Sequence, residues 1–556
     1  MDLVNSYRNL ELSISKYMLR RIIPSTFIGL LISIILGLTF SEVFLESFFV
    51  ITLYVLPIFT TVVAVLYPVI HDEIRSMKID KDMHLFITRL GALSASEISD
   101  RGFKELFGEM KMYGELGEEM KRLEKLANEW NMSLPEASRT IAKNTPSELL
   151  SDFLERMAYA LETHTSPKEF FEDEQDTVMD AYSNEFENML FRLDVIRELY
   201  VASITMVLFA MVLAVIVPLL IEINSDVIIT LVFFLFVIVS FISGWIFLKI
   251  IPETRIWYEG ELRSEIDDKL DKIFMISLAV SGGIAIPLIF LPLPFLSLLL
   301  KLAIILTPLI IPGIYAGLEE SRILRRDSNF PSFIRSLAGN TPAQTADHTK
   351  SVGKLRYHDL GTLTDNIKSL YRRLKMNIDS DSSWDYFGSE TGSFLINEFS
   401  DIFLTSSQHG AHPEETAPII SENFIEVRGL RGKKILRAKS LQSVFYGVIA
   451  VLTLTMVTVF LIVSEINDMI AEIEMPTGFR GMFGDLGFIQ TTPISLGSYY
   501  DLIIIMVLTQ AVTSTVIGWH IKGEHRYVSI AKFTVMIWIA AAAFKAAELG
   551  VSIIFG

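Results

Sequence analysis

Nine apolar runs constrain this chain more than any motif it carries. They fall at roughly 22–40, 48–70, 199–221, 227–251, 273–293, 295–317, 442–464, 500–521 and 531–553. Crossing the roughly 30 Å of hydrocarbon in a bilayer takes about 20 mostly apolar residues as a helix. Within lipid, only helices and closed barrels satisfy their own backbone groups. The sequence therefore predicts an all-α polytopic membrane protein with nine transmembrane helices. Composition agrees: 51% of the 556 residues are hydrophobic and only 20% are charged, where soluble chains are nearer a quarter charged. The first run follows a polar stretch holding Arg8, Lys16, Arg20 and Arg21 and lacks a small-residue cleavage site. It reads as a retained span, not a signal peptide.

Charge then sets the orientation, because Lys and Arg accumulate on the cytoplasmic side. With the N-terminus inside, the outer loops are 41–47, 222–226, a turn near 292–294, and 465–501. They hold one basic residue, Arg480, against ten acidic ones, and the other 47 Lys and Arg lie in the cytoplasm or in spans. The map predicts a cytoplasmic N-terminus and an outer C-terminus. It divides the chain into 1–70 (N-terminal segment and two spans), 71–197 (first cytoplasmic domain), 198–317 (four spans), 318–441 (second cytoplasmic domain) and 442–556 (three spans).

The two cytoplasmic regions are 127 and 124 residues long, which suggests a duplicated plan. A short echo points the same way: Phe86-Ile87-Thr88-Arg89-Leu90 opens the first and Phe333-Ile334-Arg335-Ser336-Leu337 opens the second. The first domain reads as a helical bundle. Ser133 to Glu136, Thr145 to Glu148 and Ser166 to Glu169 have the layout in which a hydroxyl caps a helix and a Glu reaches back three residues later. Leu149, Leu150, Phe153, Leu154, Met157 and Leu161 then recur at helical spacing. This domain carries a net charge of −11, and the second carries +1. Basic residues of the second cluster at its membrane ends, at Arg322, Arg325 and Arg326 and again from Arg428 to Lys439. They serve either to anchor the chain at anionic headgroups or to dock an acidic partner.

Catalytic signatures are absent from the sequence. The nearest approach to a phosphate-binding loop, Gly429-Leu430-Arg431-Gly432-Lys433-Lys434, has two residues between its glycines where four are needed and no hydroxyl after the lysine. Gly481 to Asp485 has the wrong spacing for an intramembrane aspartyl peptidase. There is no H-E-x-x-H and no G-x-S-x-G. His409 and His412 sit beside Gly410 and Pro413, in loop chemistry with no third metal ligand nearby. Zero cysteines exclude disulfides, Cys-ligated metals and thiol nucleophiles. A net charge of −17 argues against nucleic-acid binding. The chain reads as non-enzymatic, with neither cofactor nor metal.

Charges within spans are costly and often functional. Lys301 lies in the sixth run, and Lys545 and Glu548 lie in the ninth. By helical rise, Lys301 and Glu548 sit at similar depth, as a structural ion pair, snorkelling groups or a contact for something in the membrane. Pro218, Pro287, Pro308 and Pro312 are expected to kink or break spans. Broken spans also occur in transporters, but the intramembrane polar inventory is thin for ion coupling.

Several stretches carry a family resemblance over nearly the whole chain. In the first domain they are Thr145-Pro146-Ser147, Phe153 to Ala158, and Leu93 to Ser99. In the second they are Phe330-Pro331-Ser332-Phe333, Leu360 to Thr364, Leu370 to Leu374, Trp384 to Phe387, and Glu390 to Ser393. Together they resemble the platform proteins of type IV pilus and type II secretion machines, and within them the archaellum platform family (FlaJ/ArlJ). The resemblance implies two T2SF-like helical domains on the cytoplasmic side of an archaeal cell membrane. It implies a platform that anchors a hexameric secretion-type ATPase (FlaI-like), with a KaiC-like accessory protein (FlaH-like). Filament subunits (archaellins) and membrane lipid are further implied partners, and so is a homodimer. Adhesive-pilus platforms are the neighbouring branch, and a secondary transporter is the competing class. Because Arg presents a planar fork suited to carboxylates, Arg335, Arg356, Arg372, Arg373, Arg431 and Lys433 are the expected ATPase-docking residues.

Overall fold

The computed structural model describes residues 17–18, 22–27, 29–30, 49–96, 113–217, 225–252, 255–260, 262–290, 296–341, 348–472 and 496–555. Among them there is no strand, only one antiparallel bridge, between Trp257 and Ser393. In chain order the helices are α1 (Phe49–Ser94), α2 (Gly114–Asn128), α3 (Leu134–Ala142), α4 (Glu148–Glu162) and α5 (Pro167–Ile216). Next come α6 (Ser225–Ile250), α7 (Glu265–Phe290), α8 (Leu298–Leu306) and α9 (Ile310–Ala338). After these are α10 (Thr349–Leu355), α11 (Thr364–Lys375), α12 (Ser380–Thr391), α13 (Phe394–Gln408), α14 (Pro413–Glu472), α15 (Leu496–Lys522) and α16 (Arg526–Phe555). The chain divides into two compact units, Met1–Ser183 and Asn184–Gly556.

Seven helices among the described residues are long and apolar enough to cross a membrane. They fall on the third to ninth runs read from the sequence. The first run lies largely outside the described residues, and the second falls on the first half of α1, where few side chains are described. Outer loops 41–47 and 292–294, and most of 222–226 and 465–501, also lie outside them. Pro308 falls in a 3-10 turn, Thr307–Leu309, which divides the sixth run into α8 and α9. Pro287 sits inside an unbroken α7, and Pro312 sits in the first turn of α9. Pro218 lies outside the described residues.

In the first unit α2, α3 and α4 pack with the end of α1 and the start of α5. Leu150, Phe153, Leu154 and Met157 of α4 are buried, and Phe153 meets Phe86 of α1 edge-on with centroids 5.6 Å apart. The helix starts follow the sequence with one correction. Ser133 and Ser166 accept from the amides of Glu136 and Glu169 as expected. For α4 the cap is Ser147, whose Oγ accepts from Leu150 N at 2.9 Å. Thr145, expected as that cap, instead accepts from Ser147 N. Thr145 lies two residues ahead of the cap and supports it from there.

In the second unit the apolar core of α5, α6, α8, α14, α15 and α16 is continuous, with Tyr200, Phe236, Phe247, Phe445, Met456 and Met536 buried in it. A further helical layer, α10 to α13, packs with α9 and α14 around Phe330, Phe333, Phe387, Phe399 and Phe403, all fully buried. α14 is a single 60-residue helix. It begins among these aromatics and continues into the apolar bundle.

The two helical layers follow one plan. Equivalent features recur 246 or 247 positions apart. Gly114 and Gly361 have φ of +53° and +59°, and Asn131 and Asn377 have φ of 53° and 55°. α4 and α13 are both 15 residues long, and α5 and α14 both begin at Pro. Ser147 and Ser393 cap α4 and α13. Each also donates its hydroxyl to an Asp, Asp80 or Asp327, that lies six residues before the Phe-Ile pair of the sequence echo. Thr145 and Thr391 each accept from the amide of their capping serine. A cap that is also locked to a distant helix fixes both the start and the seat of the helix it begins.

Candidate functional site

α11 buries Ile367, Leu370 and Leu374. This spacing leaves Lys368, Arg372 and Lys375 exposed on the opposite face. Beside it, the Arg356 guanidinium lies 4.4 Å from the Tyr357 ring centroid and 4.6 Å from that of Tyr371. Arg373 lies 4.9 Å from the Tyr386 ring and forks onto the Glu390 carboxylate. Tyr357 and Met376 are 77% and 73% exposed, and Ile378 and Tyr386 are open as well. Tyr, Met and Arg are residue types enriched at protein interfaces. Arg372 bonds only to Ser369 Oγ, at 2.9 Å, among the described residues, so its charge is available. On α12, burial pushes the Asp385 carboxyl up, and neighbouring Asp401, Asp381 and Asp379 push in the same direction.

The other expected docking residues are placed differently. Arg335 is half exposed and donates to Ser421 Oγ at 2.6 Å and to Glu422 at 3.4 Å. Lys433 is exposed and pairs with exposed Glu187. Arg431 is a correction: it is buried and paired with Asp327, whose side chain is fully inaccessible. Asp327 needs a cation because Ser393 alone does not neutralise it, so Arg431 is committed inside the domain and its charge is not on the surface.

The intramembrane charges do not meet as expected. Lys545 and Glu548 pair with each other at 2.6 Å, one turn apart on α16. Lys301, on α8, is half-buried and has no ion pair among the described residues. His409 closes α13, with Nδ1 2.8 Å from Thr405 O. No group of three potential ligands that could hold a metal occurs among the described residues.

Sequence reasoning missed a second polar cluster. Lys522 bridges Glu320 at 2.9 Å and Glu524 at 3.0 Å, and Lys532 reaches Glu524 at 2.6 Å. Both carboxylates are buried. These four charges come from the start of α9 and the α15–α16 hairpin. Each looks like ordinary juxtamembrane charge in the sequence, and only the fold collects them. Of the aromatics beside α11, Tyr371 and Tyr386 fall in the family-like stretches Leu370 to Leu374 and Trp384 to Phe387, and Tyr357 falls in none.

The fold and its helical layers define a multi-pass helical membrane protein of the secretion-platform type: residues 86–218 match the family Type II secretion system (T2SS), protein F. Relatives of similar length narrow this. The chain is 32% identical over 552 residues to flagella accessory protein J of Methanocaldococcus jannaschii, covering 97% of this chain and 96% of that one. It is 32% identical over 491 residues to flagella accessory protein J of Methanococcus voltae, covering 85% and 86% respectively. The chain belongs to the flagella accessory protein J family. No solved structure matches it.

Proposed function

We propose that this chain is the non-enzymatic membrane platform of an archaellum or type IV pilus-like machine, anchoring an assembly or rotation ATPase and coupling its motion to the filament. The observation that carries this reading is α14, which runs unbroken from Pro413 to Glu472. At 1.5 Å per residue such a helix reaches about 90 Å. Its first turns pack in the aromatic layer and its later turns in the apolar bundle, so a push on the layer is a push on the bundle.

In this reading nine spans cross an archaeal cell membrane, with the N-terminus cytoplasmic and the C-terminus outside. Regions 71–197 and 318–441 are two copies of one cytoplasmic T2SF-like domain. The hexameric ATPase docks on the exposed face of α11, at Arg372 with Arg356 and Arg373. Arg335 and Lys433 lie outside that core, and Arg431 is not part of it. A KaiC-like protein joins the base, archaellins meet the membrane body, and the platform works as a homodimer. The juxtamembrane basic residues meet anionic lipid. No nucleic acid takes part.

The test is co-purification of the ATPase from detergent-solubilised membranes. Arg372→Glu together with Arg373→Glu is expected to abolish it while membrane insertion stays normal. Arg372→Glu alone is expected to weaken it about tenfold or more, as for an exposed interface Arg worth over 1 kcal/mol. Undiminished binding by both variants removes the α11 face from the interface.

A further inference from the structure

One short connector ties the aromatic layer to the hairpin that holds the buried charges. It follows α6. Its backbone pairs with the turn before α13: Tyr258 N donates to Gly392 O at 2.9 Å, and Phe394 N donates to Ile256 O at 3.1 Å. Ser389 Oγ donates to Leu262 O at 3.3 Å, and the Arg255 guanidinium lies 5.6 Å from the Phe394 ring. Lys434 of α14 holds Pro252 O. On its other side, His520 Nε2 lies 2.8 Å from Ile251 O, and the His525 ring lies 4.9 Å from that of Trp257. Trp257 is the crossing point. Its backbone bridges Ser393, the serine that caps α13 and locks to Asp327. Its indole Nε1 donates to Glu320 Oε1 at 3.3 Å, and the same oxygen accepts from His525 N at 2.9 Å.

We propose that Trp257 is the coupling residue of a strap that makes the α10–α13 layer and the α15–α16 hairpin move as one body. The inference rests on the platform reading for its purpose. Its geometry stands apart from that reading. α9 and α14 each run from the layer into the bundle, α9 from Gly313 against α16 to Phe330 and Phe333 in the layer. The strap adds a third attachment, from the turn before α13 to the hairpin, which opposes movement of the layer along those two helices. Glu320 seats the indole because Lys522 balances its charge, so this buried carboxylate keeps an oxygen free to receive the strap.

The test uses the full chain in detergent, with backbone hydrogen exchange read at Tyr258, Phe394 and His525, and with filament output read in cells. Trp257→Ala is expected to speed exchange about tenfold or more at all three amides, since each tenfold reports one interaction of ordinary size. It is also expected to abolish output while the ATPase still co-purifies. Trp257→Phe keeps the ring and is expected to retain most of both. Tyr258→Pro removes one bridging donor, and with it the amide at 258, and is expected to speed exchange at Phe394 and His525 as Trp257→Ala does. Faster exchange confined to Tyr258 and Phe394, with His525 unchanged, overturns the coupling. So does full output in Trp257→Ala cells. If wild type retains no ATPase and drives no filament, the platform reading fails, while the exchange result at His525 still decides the strap.

Discussion

A buried histidine, a half-buried one and a buried ion pair set what single residues contribute to this molecule. Burial lowers His84 to about 3 and His525 to about 4. For His84, a backbone contact with Lys81 opposes that fall; for His525, Asp267 opposes it. Both stay neutral in the folded chain, whereas in the unfolded chain they take up a proton near pH 6.5. Protons therefore bind the unfolded state more, and stability is fully present above about pH 6.5 and drains as pH falls toward 4 and 3. At pH 5 a buried histidine of this kind costs about 2 kcal/mol. Replacing His84 by Phe, which keeps a ring against Tyr182, whose centroid lies 4.8 Å away, is expected to flatten the decline of melting temperature between pH 7.5 and 5; an unchanged decline would clear His84 of that role. Asp327 and Arg431 behave differently. Either charge left alone in the core is uncompensated, so Asp327→Asn or Arg431→Met is expected to cost about 3 kcal/mol or more. The double substitution is expected to cost less than the two added, and additive melting shifts would show that the two charges do not depend on each other.

At the scale of the element, the long helices differ in where they tolerate change. Gly429 and Gly432 lie within α14 and are exposed. A Cβ at either position meets nothing within 4 Å. Changing both to Ala is expected to stabilise the helix by up to about 1 kcal/mol per site. Because the platform reading treats α14 as a rod, filament output is expected to be kept or improved. A more stable chain that drives nothing would mean these glycines are a hinge. Gly313 is the opposite case. A Cβ there would sit 2.3 Å from Ala531 Cβ and 2.6 Å from Tyr527 O. Here α9 and α16 touch backbone to backbone, the close approach that small residues permit between membrane helices. Gly313→Val is expected to lower the melting temperature and the yield of intact protein, while Gly317→Val, one turn on and open to space, changes neither. These elements also measure how far the sequence could be read. Apolar runs of bilayer length gave seven of the helices, since hydrocarbon leaves the backbone no other choice. Hydroxyl caps gave the starts of α3 and α5, because they act within four residues. The lock from Ser393 to Asp327, the burial of Arg431 and the seat of Trp257 join residues 63 to 104 positions apart. No local pattern specifies which partner a charge will find at that distance.

Across the whole molecule, duplication makes a prediction that neither copy makes alone. Ser147 and Ser393 do the same two jobs, capping a 15-residue helix and holding an Asp on the preceding long helix. Ser147→Ala and Ser393→Ala are each expected to cost about 1–2 kcal/mol for the lost cap. The copies lie in separate compact units, so their effects are expected to add. Strong non-additivity would mean the two layers fold as one. Duplication also bears on sidedness. A repeat of two spans, one helical layer and one returning span has an odd number of crossings, so a second copy in direct sequence would start on the far side. The two spans at 199–221 and 227–251 change that. In the proposed topology the first completes the opening copy and the second carries the chain back across, which puts both layers on one side of the membrane. The chain has no cysteine of its own, and single cysteines can test this without background. Glu42→Cys and Asp485→Cys are expected to react with an impermeant thiol reagent in intact cells. Lys121→Cys and Arg372→Cys are expected to react only after permeabilisation. Labelling of Arg372→Cys from outside would place the α11 face beyond the reach of any ATPase and end the docking proposal, whatever the family.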